Sequence, residues 1–163
     1  MRDTMKVHGR FVLDCYRDGV LLWTEVVPNL VTNEGMNFAL DVVFNAEAQI
    51  SWYVILVESD TTAAAGMTYA APVFTECEAY DEATRPAFTT AAASSQTVTN
   101  SASRAEFTIN DTKTLYGAAI VGGDDTIGDT AGGGVLFSYA KFAAGRDAVD
   151  NDVLLVTYQT GLE

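Results

Sequence analysis

The chain has a single histidine, few cations and no long apolar run, and each shortage excludes a class of chemistry. With His8 as the only histidine, a His-rich zinc site is excluded. A serine or cysteine triad would have to draw its base from a residue at the start of the first strand. Lysine and arginine total 9 against 22 aspartates and glutamates, a net charge of −13. Binding to nucleic acid is driven by cationic contacts with phosphate, so this balance argues against a nucleic-acid partner. It suits a soluble protein or one that meets a basic surface. No apolar run reaches membrane-spanning length, and "MRDTMKVHGR" lacks the apolar core of a signal peptide. The expectation is a soluble protein made in the cytoplasm, with no membrane partner.

Cys15 and Cys77 lie far apart, each in an apolar or aromatic setting ("LDCY", "FTECEAY"). Two reduced, packed thiols are expected; a disulfide is open, but the spacing does not require one. There is no internal repeat, heptad pattern or linker, so residues 1–163 read as a single domain. At this length a domain buries about 70% of its unfolded surface and needs no metal or disulfide to fold.

What is present is mostly strand. "FVLDCY" alternates, Asp18-Gly19 supplies a hairpin turn, and Val20 to Val27 returns. "NLVTNEGMNFALDVVF" then breaks the pattern. Thr32 or Asn33 can cap a helix, with Glu34 at the positive end of its dipole. Met36, Ala39, Leu40 and Val43 form one apolar stripe, and Phe38 and Val42 lie nearly opposite. This predicts one short buried α-helix over about 33–44, filling the core. "ISWYVILVE" is continuously apolar, as in a strand covered on both faces. "RAEFTIN", "TLYGAAIVGG", "VLFSYAKFAA" and "DVLLVTYQT" read as further strands, with Gly117 allowing a bulge. The predicted fold is mainly β: a two-sheet antiparallel sandwich, jelly-roll-like, with long loops at about 59–72, 87–103 and 122–134.

Two acidic groupings invite a chemical reading. "TECEAYDE" brings together Glu76, Glu78, Asp81 and Glu82, and glycoside hydrolysis needs two carboxyls flanking the bond. In an extended segment Glu76 and Glu78 share a face, but only Tyr80 and Phe74 are near to stack on a sugar. Asp124, Asp125 and Asp129, or Asp147, Asp150 and Asp152, offer hard oxygen ligands for calcium, without the EF-hand pattern. Aspartate and glycine are also ordinary turn formers, and the favoured reading has no cofactor, no metal and no catalytic residue.

"NLVTNEGMNFALDVVF" followed by "SWYVILVESD" resembles a pattern of small virion proteins from tailed bacteriophages and prophages. "YDEATRPAF", "SRAEFTINDTKTLYGAAIV", "GGGVLFSYAKF" and "GRDAVDNDVLLVTY" resemble the same group, so the likeness spans roughly residues 28 to 160. It is nearest to capsid decoration, or cement, proteins. The resemblance implies a non-enzymatic structural protein on the capsid exterior of the virion. Such a protein would act as a homo-oligomer, dimer or trimer, that bridges subunits of the major capsid protein. A neck, tail or fibre-associated module is the alternative, and a carbohydrate-binding or carbohydrate-cleaving domain a further one. Multivalent attachment would offset the cost of ordering loops on a shell. Arginine and aromatics are enriched at interfaces, which makes Arg85, Phe88, Tyr69 and Phe74 the candidate partner contacts. For the aromatics, packing in the domain's own core is the competing expectation.

Overall fold

A computed structural model describes residues 5–128 and 133–163. Two antiparallel sheets face each other, as the sequence predicts. Strands β1 (Val7–Arg17), β2 (Val20–Pro28), β5 (Thr97–Thr99), β6 (Ala105–Thr108) and β9 (Val153–Leu162) form one sheet. Its order is β2-β1-β9, with both β5 and β6 on the far side of β9. The second sheet runs β3-β8-β7-β4, from β3 (Leu30–Val31), β8 (Val135–Ala148), β7 (Lys113–Gly122) and β4 (Trp52–Val57). The helix α1 (Asn33–Phe44) lies between β3 and β4 in the chain.

The first hairpin turns where the sequence places it. Asp18 and Gly19 have φ of 51° and 77°, the left-handed pair that a two-residue hairpin turn demands. β8 runs past the predicted "VLFSYAKFAA" strand through "GRDA", where Arg146 and Asp147 pair with Leu115 and Thr114 of β7. "FTECEAY" forms no named strand; Glu76 makes an isolated bridge to Val57 and Tyr80 one to Ile109.

Between the sheets, Phe11, Leu13, Val54, Leu56, Phe107, Ile120, Phe142 and Val156 make the main core. A second apolar cluster joins Ile55, Val57, Ala119, Val121, Leu136 and Tyr139 of the second sheet to Met67, Tyr69 and Phe74. The long connection after β4 therefore acts as a third layer. It explains why β4 is continuously apolar, since alternation is needed only where one face meets water. The other edge of β4 is also covered, by backbone hydrogen bonds to Cys77, Pro86 and Phe88, and Thr75 accepts the N–H of Glu58 just beyond it.

The helix has the predicted span but not the predicted burial. The Thr32 side chain caps it by accepting from the Gly35 N–H at 2.9 Å. Glu34 does more than favour the dipole: its carboxylate accepts the Tyr69 and Leu136 N–H groups at 2.8 and 2.7 Å. Phe38 turns in against Trp52, with ring centroids 5.6 Å apart. The Met36, Leu40 and Val43 stripe faces solvent, with Val43 69% and Phe44 76% exposed, and Gly35 is the only buried residue of the helix. This corrects the core-filling role: with the space between the sheets already packed, one apolar side of the helix suffices to seat it. No helix among the described residues is long and apolar enough to cross a membrane.

Candidate functional site

The densest polar cluster is centred on Arg85, which is 1% exposed. Its Nε and Nη2 donate to the two carboxylate oxygens of Glu76 at 2.9 and 2.7 Å. Nη1 donates to the Tyr69 hydroxyl at 2.7 Å and to the Asp124 carbonyl at 3.0 Å. The Tyr69 hydroxyl in turn donates to the Asp124 carboxylate, and the Gly128 N–H donates to Glu76. Burial works against the Arg85 charge, but the bonds to Glu76 and Tyr69 outweigh it and raise its pKa. Burial likewise raises the Tyr69 hydroxyl. Backbone donation from Thr126 leads in holding Asp124 below the usual carboxylate range.

Above this cluster opens a cleft of about 360 Å³, with Glu76, Glu78, Arg85, Tyr69 and Phe74 in its walls. Glu76 and Glu78 do share one side, as their spacing predicts. Chemically they are not equivalent: Glu76 is an acceptor saturated by a guanidinium fork and a backbone amide, and Glu78 is exposed. Asp81 and Glu82 lie apart from the cleft, Glu82 accepting the Thr108 N–H. The cluster ties two stretches of the connection after β4, around residues 69–76 and 85, to the β7–β8 connection around 124–128, and its evident work is to hold them together.

The expected partner contacts are thus turned inward. Arg85, Tyr69 and Phe74 are buried, and a side chain so enclosed offers little area to a partner. Phe88 is half-buried, its ring 5.3 Å from that of Tyr158. The arginine takes the deep position because Glu76 and Tyr69 are there to receive its donors. The composition rule that marked these residues for an interface holds equally for a buried ion pair.

The aspartates of the turn-rich loops are also occupied or dispersed. Asp152 is fully buried and receives the Arg17 guanidinium at 2.7 and 2.9 Å, the Cys15 thiol and the Val149 N–H. Asp147 accepts the Thr114 hydroxyl, and Asp150 is exposed. Asp129 lies outside the described residues. Among the described residues no three histidine, cysteine, aspartate or glutamate side chains are grouped to hold a metal ion. Both cysteines are buried and free, with burial first among the causes pushing Cys15 up to about 12 and Cys77 up to about 11.

Sequence reasoning missed the exposed apolar surfaces. One is the outer stripe of α1, where Met36, Leu40, Val43 and Phe44 are 37%, 47%, 69% and 76% exposed. The other is β2, where Val20, Leu21, Leu22 and Val26 are 62%, 49%, 44% and 57% exposed. The charge around the two differs. No lysine or arginine lies between Arg17 and Arg85, so the sequence flanking the helix stripe carries acids, among them Asp41 and Glu47, and no cation. Two of the three acids of the first hairpin are neutralised at close range, Glu25 by Arg146 and Asp14 by Arg104. Comparison with family models, with curated proteins and with solved structures returns no match.

Proposed function

We propose that this chain is a non-enzymatic structural protein of a tailed bacteriophage, a jelly-roll-like module bound to the outside of the capsid shell. There it acts as an oligomer and holds neighbouring major capsid subunits together. The observation that carries this reading is the outer stripe of α1: four large apolar side chains at i, i+4, i+7 and i+8 on a well-capped helix, in a stretch of sequence that carries acids and no cation. A helix that spends apolar residues on solvent is a ridge for a groove in another protein. The acidic stretch selects a groove rimmed by lysine and arginine and speeds encounter with it. The virion-like segments of the sequence include this helix and the strands β4 and β8 that it packs against. The Arg85–Glu76 pair supports the non-enzymatic half of the proposal, since a carboxylate held by a guanidinium fork is poorly placed to donate or shuttle a proton.

Copy number in purified particles tests the reading. Quantitative mass spectrometry is expected to count this chain within a few-fold of the major capsid protein. A count near that of a portal or tail component would move it to the neck or tail. Absence from the particle would overturn both assignments.

A further inference from the structure

The geometry points to a second copy of this chain as the occupant of the open edge of β2, paired antiparallel about a two-fold axis. This deepens the oligomer in the reading above by naming its self-interface, while standing on separate observations.

The phase of the backbone comes first. Lys6 and Glu163 exchange N–H···O bonds at 2.7 and 3.0 Å, so even-numbered residues of β1 direct their peptide groups at β9. The Asn29 N–H donates to the Gly9 carbonyl at 3.1 Å, which places the odd-numbered residues of β1 toward β2. Through the pairs Phe11↔Val27 and Leu13↔Glu25, Val27 and Glu25 are hydrogen-bonded to β1. Thr24 and Val26 therefore present their N–H and C=O groups to the other side, where no strand lies among the described residues.

That edge carries only part of the usual protection: Glu25 points inward, where Arg146 neutralises it, and a bulge interrupts one end, but no lysine stands on the strand. Exposed edges are commonly blunted by lysine, by proline or by inward charge. β2 contains neither lysine nor arginine, its only proline is terminal Pro28, and its exposed side chains are chiefly Val20, Leu21, Leu22 and Val26. A bulge opposite Cys15 and Tyr16, with Leu22 as the extra residue, is the one irregularity.

Charge decides which apolar surface takes a second copy. Two chains of −13 repel wherever their carboxylates are uncompensated. At the α1 stripe no cation is at hand in the flanking sequence. Beside β2, Glu25 is bonded to Arg146 at 2.7 Å, and Asp14 to Arg104 at 2.6 Å and to the Thr24 hydroxyl. Pairing centred on Thr24 sets Leu22 of each copy against Val26 of the other and keeps Glu25 from facing its own copy. Apolar pairs across a seam of this kind stabilise it, and like charges directly opposite would not.

Sedimentation of the purified full chain over a range of concentrations, with amide hydrogen exchange, tests this. A dimer is expected, with the Thr24 and Val26 amides slowed at least about tenfold on association. Val26→Lys and Leu22→Lys are each expected to weaken association at least about tenfold, while Leu40→Asp leaves it unchanged. Circular dichroism establishes that each variant is folded, and two exposed sites guard against the loss of either one. A chain monomeric at every concentration would overturn the inference. So would a trimer, because an antiparallel β2 pair closes two by two. A dimer that both lysine variants leave intact, or that Leu40→Asp breaks, would overturn it as well. None of these outcomes alters the copy number in particles, so the two readings fail separately.

Discussion

Arg85 and Glu76 meet as a two-pronged ion pair inside the protein, both guanidinium–carboxylate contacts under 3 Å and both residues less than a tenth exposed. Removing one member leaves the other charged in a place water barely reaches. Arg85→Ala is therefore expected to lower stability by about 3–5 kcal/mol. Arg85→Lys should recover only part of this, since an ammonium cannot reproduce the fork. Urea unfolding measures both, and a loss under about 1 kcal/mol for Arg85→Ala would mean the pair is dispensable.

Leu40→Asp separates folding from assembly. Leu40 is 47% exposed, so the variant is expected to fold with stability within about 0.5 kcal/mol of the parent, apart from a small helix-propensity term. Under the proposed function it should also fail to saturate capsids from which the protein has been stripped. Insoluble or unfolded Leu40→Asp would return the helix to the core.

Gly35→Ala runs against the normal rule. In an exposed helix this change stabilises by about 1 kcal/mol. Here the added Cβ would come 2.6 Å from the Phe137 carbonyl oxygen and 2.7 Å from its Cα, both backbone. The expected result is a lowered Tm, and a raised one would show that α1 can lift off β8 without cost.

Acid should act through Asp152. The Arg17 bond leads in lowering its folded pKa below 3.8. A carboxylate depressed in the folded state stabilises above its unfolded pKa, and that contribution fades as pH falls through the folded one. Asp152→Asn is expected to cost about 1–3 kcal/mol at neutral pH and to flatten the stability profile below about pH 4. An unchanged acid limb in the variant would assign the titration elsewhere.

The two thiols give a label for unfolding. Cys15 and Cys77 are completely buried, with their thiols pushed up to about 12 and 11, and a thiolate is the reactive form. Alkylation at pH 8 is expected only on the timescale of global opening, with both cysteines modified together. Rapid reaction of one alone would reveal local opening around it.

Much of the architecture was legible because it follows from local chemistry. Asp18-Gly19 can hardly do otherwise than turn, Thr32 is a strong cap, and "ISWYVILVE" announces burial on both faces. The burial of α1 was misread because helical periodicity tells which residues share a side, not which side another layer covers. Nothing in "TTAAAGMTYAAP" reveals that Met67 and Tyr69 lie flat on the second sheet; that depends on Ile55, Ala119 and Tyr139, far away in the chain. Composition marks Arg85 as a partner contact but cannot tell an interface arginine from an enclosed one. Its partner Glu76 is in view, and the missing link is that the eight residues of irregular chain between them bring the two face to face.

The place of β9 has a consequence for how the protein is made. β9 pairs with β1, β5 and β6, so three of the four other strands in its sheet are joined through it. During synthesis β1 and β2 can close as a hairpin early, but the sheet has no middle until residues 153–162 leave the ribosome. Until then the apolar sides of Phe11, Leu13 and Phe107 have no strand between them. Assembly of the core is deferred to the last strand, and a nascent chain stalled before it is a hazard for aggregation rather than a half-built domain.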